Sequence, residues 1–208
     1  MWNLMNRAVL GREDGKQMGN EERMKEKWNK KHQERLAEME EPLPNERLVR
    51  LSSYLNGEKA LDLACGLGGN SLFLAERGYE VDAADISETA IHFLREHAQK
   101  RELEVHASAM DLADLENLPY KIGAYDLILI AYYLDRSLFP YVKGLLKDGG
   151  YFFMETYYDS PKEGKVSKQF LLKPNELLEE FREWTILFFE ENEQEGRQIV
   201  FCRKPGLI

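Results

Sequence analysis

Cysteine is nearly missing. Cys65 and Cys202 stand far apart, without CxxC spacing, in a chain of 208 residues, which excludes a disulfide framework and a cysteine-built zinc site. Histidine is also scarce, with four residues. His92 and His97, five apart, share a helical face poorly and make weak paired ligands, so no metal is expected. Long apolar runs are absent too: no stretch approaches the roughly 18 to 20 residues that span a bilayer, and the first residues are polar and charged where a signal peptide needs an apolar core. A soluble, cytoplasmic protein with no membrane partner is expected. A basic excess is lacking as well. The net charge is −9, and because residues 1 to 41 hold nine basic and nine acidic side chains, the whole negative excess falls on Pro42 to Ile208. An acidic body cannot displace counterions from nucleic acid, and no such partner is expected.

What remains suffices for one sizeable core with an appendage: 43% of the residues are hydrophobic and 31% charged. Residues 1 to about 20 show no clear period and read as a weakly ordered arm. Glu21 to Glu41 is dominated by charge, with Met24, Trp28, Leu36 and Met39 as sparse apolar positions, and reads as a lightly packed helix. Pro42 and Pro44 end it. The expected division is an extension over 1–41 and a domain over 42–208.

Strands and helices then alternate. Ala60 to Cys65, Glu80 to Asp85, Glu104 to Ala109, Tyr125 to Ala131 and Gly150 to Thr156 read as strands, with helical stretches of roughly 10 to 15 residues between most of them. This predicts parallel strands with crossover helices, a doubly wound α/β sheet. The tail differs. After a helix near Pro174 to Phe181, the runs Thr185 to Glu190 and Gln198 to Arg203 flank "ENEQEGR" and read as a hairpin, which turns one strand antiparallel.

Between the first strand and its helix lies Ala64-Cys65-Gly66-Leu67-Gly68-Gly69. Glycine there lets the backbone turn tightly and approach a ligand, while free amides at the helix start favour electron-rich groups. About 20 residues later Asp85 ends the next strand, where a carboxylate can accept both hydroxyl protons of a ribose. An adenosine-type ligand is indicated. Nicotinamide or flavin dinucleotides and S-adenosylmethionine share this layout, and read as the dinucleotide fingerprint Ala64, Gly66 and Gly69 fill the glycine positions, the first imperfectly. Asp62 breaks the tie: an acid two residues before the turn gains nothing from a pyrophosphate but matches a cationic amino group. Met110-Asp111-Leu112 then offers an apolar wall and an acceptor for an adenine amino group.

On these residues the chain resembles the class I S-adenosylmethionine-dependent methyltransferases over about Leu48 to Pro205. "LDLACGLGGN" matches the first motif, Asp85 the ribose-binding acid, "AMDL" the adenine site and "YDLILIAYYL" the fourth strand. The resemblance implies a seven-stranded sheet with a terminal antiparallel hairpin. It also implies S-adenosylmethionine as cofactor, held around Asp62, Ala64, Gly66, Gly68, Asp85, Ile86, Met110, Asp111 and Leu112. The family usually has glycine where this chain has Ala64, and a methyl group there is tolerable if φ is negative. "WNKKH", "GGNSLFLAERGYEV" and "FLLKPNELLEEF" are most similar to the small-molecule branch that includes tellurite-resistance-type and thiopurine-type enzymes, which implies a small-molecule methyl acceptor. An NAD-type reductase and a non-catalytic module that binds the cofactor are the alternatives.

Tyr132, Tyr133 and Asp135 follow the fourth strand, where such folds place the reacting methyl group, and are candidates for the acceptor pocket and for catalysis. They read equally as core aromatics and a helix cap, as do Tyr157 and Tyr158 after the fifth strand. Asp85 and Asp111 could themselves be caps, and Ser87 could supply the cap in place of Asp85. Cys65 reads as packing. Tyr158 and Lys162 form a YxxxK spacing that Pro161 makes accidental. The charge-rich helix, with few apolar anchors, reads as a lid. Trp28 would cover a cofactor edge, and Lys30, Lys31 and His32 would face an anionic acceptor or the methionine carboxylate; otherwise Trp28 merely pins the helix to the body.

Overall fold

A computed structural model describes residues 19–38, 41–161 and 166–206. Most of the expected N-terminal arm, together with Met39 and Lys162, lies outside the described residues. Helix α1 (Asn20–Glu38) precedes the short helix α2 (Glu46–Arg50). Then follow β1 (Lys59–Leu63), α3 (Gly69–Ala75), β2 (Glu80–Asp85), α4 (Glu88–Lys100), β3 (Val105–Ala109), β4 (Tyr125–Ala131), α5 (Leu138–Leu145) and β5 (Leu146–Tyr157). The chain closes with α6 (Glu176–Glu180), β6 (Thr185–Asn192) and β7 (Arg197–Arg203).

The seven strands form one sheet in the order β3-β2-β1-β4-β5-β7-β6. The first five strands are parallel, and β7 is antiparallel to both β5 and β6. Strand order reverses between β1 and β4, and the carboxyl ends of the strands at such a switch point are where open α/β sheets bind ligands. The continuous apolar run of β4 follows from burial on both faces: Leu127, Leu129, Ile128 and Ile130 are all essentially inaccessible. Ile128 and Ile130 pack with Leu138, Val142 and Phe181 on one side, Leu127 and Leu129 with Leu48, Phe73 and Leu74 on the other. A third cluster seats Leu94 and Ile91 of α4 on Ala83 and Ala107.

Three departures from expectation have local causes. Residues 110–124 between β3 and β4 hold only a 3-10 turn, Leu115–Asn117, instead of a crossover helix. Strand β5 begins four residues early, because Leu146 pairs with Tyr125 across a register shift before Gly149 and Gly150. Helices α3 and α5 are shorter than the expected 10 to 15 residues, at 7 and 8.

Candidate functional site

The turn after β1 is pinned from two sides. The Gly66 amide donates to Asp85 Oδ2 at 2.9 Å and the Ser87 amide to Asp85 Oδ1 at 2.8 Å, so one carboxylate ties the glycine loop to the end of β2. Ser87 Oγ accepts from the Ala90 amide at 3.2 Å and is the cap of α4. Ala64 has φ +59°, not the negative value at which alanine is unstrained; a left-handed alanine costs on the order of 1 kcal/mol. Gly68, at φ +83°, faces Leu94 so closely that a Cβ would overlap it, and a Cβ on Gly69 would overlap the carbonyl of Leu43. The loop therefore has no room for side chains at these positions.

Asp62 lies beneath this loop, 1% exposed. Its Oδ2 accepts from Ser71 Oγ at 2.6 Å, while its Oδ1 is buried with no hydrogen-bond partner. Burial, reinforced by the negative charge of Asp85, pushes its pKa up to about 7. A carboxylate in that position is set to receive a cationic donor. Cys65 beside it is held protonated by burial, with the charges of Asp62 and Asp85 adding to the effect, which fits a packing residue and not a nucleophile.

The residues expected around an adenine follow the ends of β2 and β3. Met110 and Ile86 are half-buried and Leu112 is buried, while Asp111 Oδ1 accepts from the Ala113 amide at 3.0 Å. Helix α1 lies over the other side of the loop. Asn29 Oδ1 accepts from Ser87 Oγ at 2.8 Å and from the Thr89 amide at 3.2 Å, and Lys25 pairs with Glu88 at 2.5 Å. Trp28 is half-buried and stacks on His32 with ring centres 5.9 Å apart. Lys30 and Lys31 are exposed, the Lys31 ammonium lying 4.5 Å from the Trp28 ring, whereas His32 is buried.

Beyond β4 a second polar group gathers. Tyr132, at φ +61°, hydrogen-bonds Glu155 Oε1 at 3.2 Å, and its hydroxyl receives Asn45 Nδ2 at 3.2 Å and Arg197 Nη1 at 3.0 Å. Glu155 also accepts from Asn45 Nδ2 at 2.7 Å and Arg197 Nη1 at 2.9 Å, with Arg47 Nη1 at 3.4 Å. Tyr157 lies 6.1 Å from Tyr132, ring to ring. Burial, with Glu155 adding, raises the Tyr132 phenol to about 12; burial, with Asp135 and Asp111 adding, does the same for Tyr133. Both keep their protons at neutral pH. Asp135 Oδ1 accepts from the Ser137 amide at 2.9 Å and its hydroxyl at 2.6 Å, so it closes a turn before α5. Tyr158 is buried and belongs to the core.

Asn45, Arg47, Glu155 and Arg197 were not anticipated. Glu155 carried a signal that could have found it: like Asp62 it is a lone acid in an apolar strand, "YFFMETYY".

The family model described as "Tellurite resistance protein TehB" matches residues 45–199. The chain belongs to the TehB family. A curated TehB relative from Haemophilus influenzae, described as a probable S-adenosyl-L-methionine-dependent methyltransferase, is 30% identical over 136 residues, 63% of this chain and 47% of its own. The chain thus spans about half the length of that relative. The crystal structure of TehB from Haemophilus influenzae superposes with a TM-score of 0.68 at 26% identity, over 77% of this chain and 62% of that one. A geranyl diphosphate C-methyltransferase from Streptomyces coelicolor, solved with S-adenosyl-L-homocysteine, gives 0.61 at 17% identity, over 77% of each chain, a likeness of fold. TehB membership selects the tellurite-resistance side of the two branches the motifs resembled, and the seven-stranded methyltransferase fold is the one expected.

Proposed function

We propose that this TehB-family chain is an S-adenosylmethionine-dependent methyltransferase for a small-molecule acceptor, acting in the cytoplasm. The observation that carries the reading is Asp62 Oδ1, a carboxylate oxygen sealed under the glycine loop with no partner of its own. A methionine ammonium would satisfy it, whereas a pyrophosphate would be repelled. The Haemophilus influenzae relative is described as a probable S-adenosyl-L-methionine-dependent methyltransferase, and both cysteines are free, as suits a reducing compartment.

The residues present fit the cofactor. Asp62 would hold the ammonium and Asp85, its oxygens anchored by two amides, the ribose hydroxyls. Gly66, Gly68 and Gly69 would let the backbone come close, with Ile86, Met110, Asp111 and Leu112 around the adenine and Trp28 at an edge. The cofactor supplies a methyl group already activated by a sulfonium. The chain's own task is alignment and exclusion of water. Tyr133, protonated at neutral pH, would orient the acceptor as a donor, while Tyr132, whose one proton goes to Glu155, would line the pocket; neither they nor Asp135, engaged by Ser137, would act as a base. The acceptor class that follows is one presenting a lone pair unaided at neutral pH, such as a thiolate or another soft anion.

Residues 1–41 form in this reading an extension that closes over the domain of 42–208. Calorimetry with S-adenosylmethionine, S-adenosylhomocysteine and NAD tests the cofactor, and labelled methyl transfer to a panel of thiols, amines, oxyanions and chalcogen anions separates an enzyme from a binding module. Binding of both S-adenosyl compounds and transfer to a soft acceptor are expected; NAD binding with neither S-adenosyl compound retained would overturn the assignment. Deleting 1–41 should leave the domain folded while weakening cofactor binding and abolishing transfer.

A further inference from the structure

Helix α1 places a histidine where a docking helix would need only an apolar side chain. Its inner face is Lys25, Trp28, Asn29 and His32, spaced by three and four residues. Two of these positions already account for its attachment: Asn29 to Ser87 and Thr89, Lys25 to Glu88. His32 is the one buried residue of α1, at 2% exposure, and its Nδ1 has no hydrogen-bond partner. The ring lies against the glycine loop, its Cε1 3.3 Å and its Nε2 4.0 Å from where a Cβ of Gly66 would stand. That is the loop whose amide is bonded to Asp85. Burial lowers the pKa of the imidazole and favours its neutral form, with Asp85 opposing and Arg35 and Lys31 reinforcing the shift. A buried polar nitrogen left without a partner costs stability, and packing alone would be served better by leucine or phenylalanine.

We propose that His32 hydrogen-bonds an oxygen of the bound S-adenosyl ligand and thereby couples the docking of α1 to occupancy of the site. The inference rests on the cofactor reading above. A neutral imidazole offers one donor and one acceptor, which suits either a ribose hydroxyl or the methionine carboxylate; both are oxygens within the same bound molecule. The remaining attachment of α1 consists of a few polar contacts and the half-buried Met24, Trp28 and Leu36, so one additional bond from ligand to helix adds measurably to what holds it. His32 acts here as a positioning residue, distant in role from methyl transfer itself.

The test uses the full chain and two variants. His32→Phe keeps the ring, its volume and its stacking partner Trp28 but loses both nitrogens; His32→Gln keeps a donor and an acceptor. Affinity for S-adenosylhomocysteine and for 5′-methylthioadenosine, which lacks the carboxylate, is measured by calorimetry, and trypsin cleavage within α1 is timed with and without ligand. The wild-type chain should bind S-adenosylhomocysteine and be protected by it. His32→Phe should lose about 10-fold in affinity, the scale of one hydrogen bond to a buried partner, together with the ligand-dependent protection, and His32→Gln should recover part of both. A loss shared by both ligands assigns the ribose hydroxyl as partner, and a loss confined to S-adenosylhomocysteine assigns the carboxylate. If His32→Phe binds and is protected as the wild type is, His32 is a packing residue and the inference is wrong. If the wild-type chain binds neither ligand, the cofactor reading itself has failed, and this inference with it.

Discussion

Asp62 and Glu155 are the same sequence feature with opposite outcomes. Each is a buried acid set in an apolar run, one on β1 and one on β5, with β4 between them. Glu155, wholly buried, receives Asn45, Arg47, Arg197 and Tyr132. Asp62, equally sealed, receives Ser71 alone and keeps one oxygen without a partner. A buried carboxylate whose demands are met by its own chain is part of the scaffold, binding α2 to β5 and β7. One whose demands are half met is strained toward protonation, and a ligand can relieve it. In the proposed function, this difference in partner number separates a structural charge from a binding charge within a few strands of each other.

Glu155→Ala would break this comparison most severely. It removes the buried acceptor shared by Asn45, Arg47 and Arg197, leaving the arginines only Glu190 and Glu195 nearer the surface, and breaking a buried ion network in this way costs about 3 kcal/mol. Urea unfolding should show it, and a loss under about 1 kcal/mol would demote the network to decoration. Next comes Asp85→Ala, which removes the acceptor of the Gly66 and Ser87 amides as well as the proposed ribose contact. Affinity for S-adenosylhomocysteine should fall by about 1.5 to 3 kcal/mol, with a stability loss of about 1 to 2 kcal/mol besides. Unchanged affinity would reduce Asp85 to a turn anchor.

Asp62→Asn should weaken ligand binding by about 1.5 to 3 kcal/mol while leaving stability equal or higher, since it removes a buried charge with an unmet demand. A parallel loss of stability would show Asp62 to be scaffold after all. Its acidity gives a pH signature. With the folded value near 7 against an ordinary 3.8, the native state holds the extra proton between those two values. The stability that Asp62 contributes is therefore full below about pH 4 and is lost as pH rises through 7. Ligand affinity runs the other way, climbing as Asp62 ionises and levelling above pH 7. Both trends should vanish in Asp62→Asn, as calorimetry and unfolding across pH 5 to 9 can establish. The smallest expected effect is Ala64→Gly, a gain of about 0.5 to 1 kcal/mol from relieving the left-handed alanine, read as a raised urea midpoint.

Much of this was legible in the sequence wherever the signal was local. Strands β2 and β4 lie at their expected bounds, because apolar runs closed by turn residues are a one-dimensional pattern. Asp62, Gly66 and Asp85 were legible as a set because the turn and the next strand fix their spacing. The network around Glu155 was not, since Asn45, Arg47, Tyr132 and Arg197 come from four distant segments and meet only through the sheet order. The early start of β5 was hidden because Leu146 joins the sheet only through its pairing with Tyr125 across a register shift, which the apolar run from Gly150 does not announce. Ala64 showed its departure from glycine in the sequence, but the sign of its φ belongs to the folded loop. In α1 the inner face was recognisable, yet which of its side chains is buried depended on how the helix lies over Gly66.

The placement of α1 also bears on how the chain is made. Asn29 meets Ser87 across 58 residues, and Lys25 meets Glu88 across 63. A nascent chain therefore releases this helix well before the surface it rests on exists. A polar segment of 19 residues is marginal as an isolated helix, so it waits, solvated, while the central strands assemble. What is synthesised ahead of the sheet is thus placed after it, and substitutions on the inner face of α1 should leave the refolding rate of the sheet untouched and appear only in how readily the finished helix lifts away.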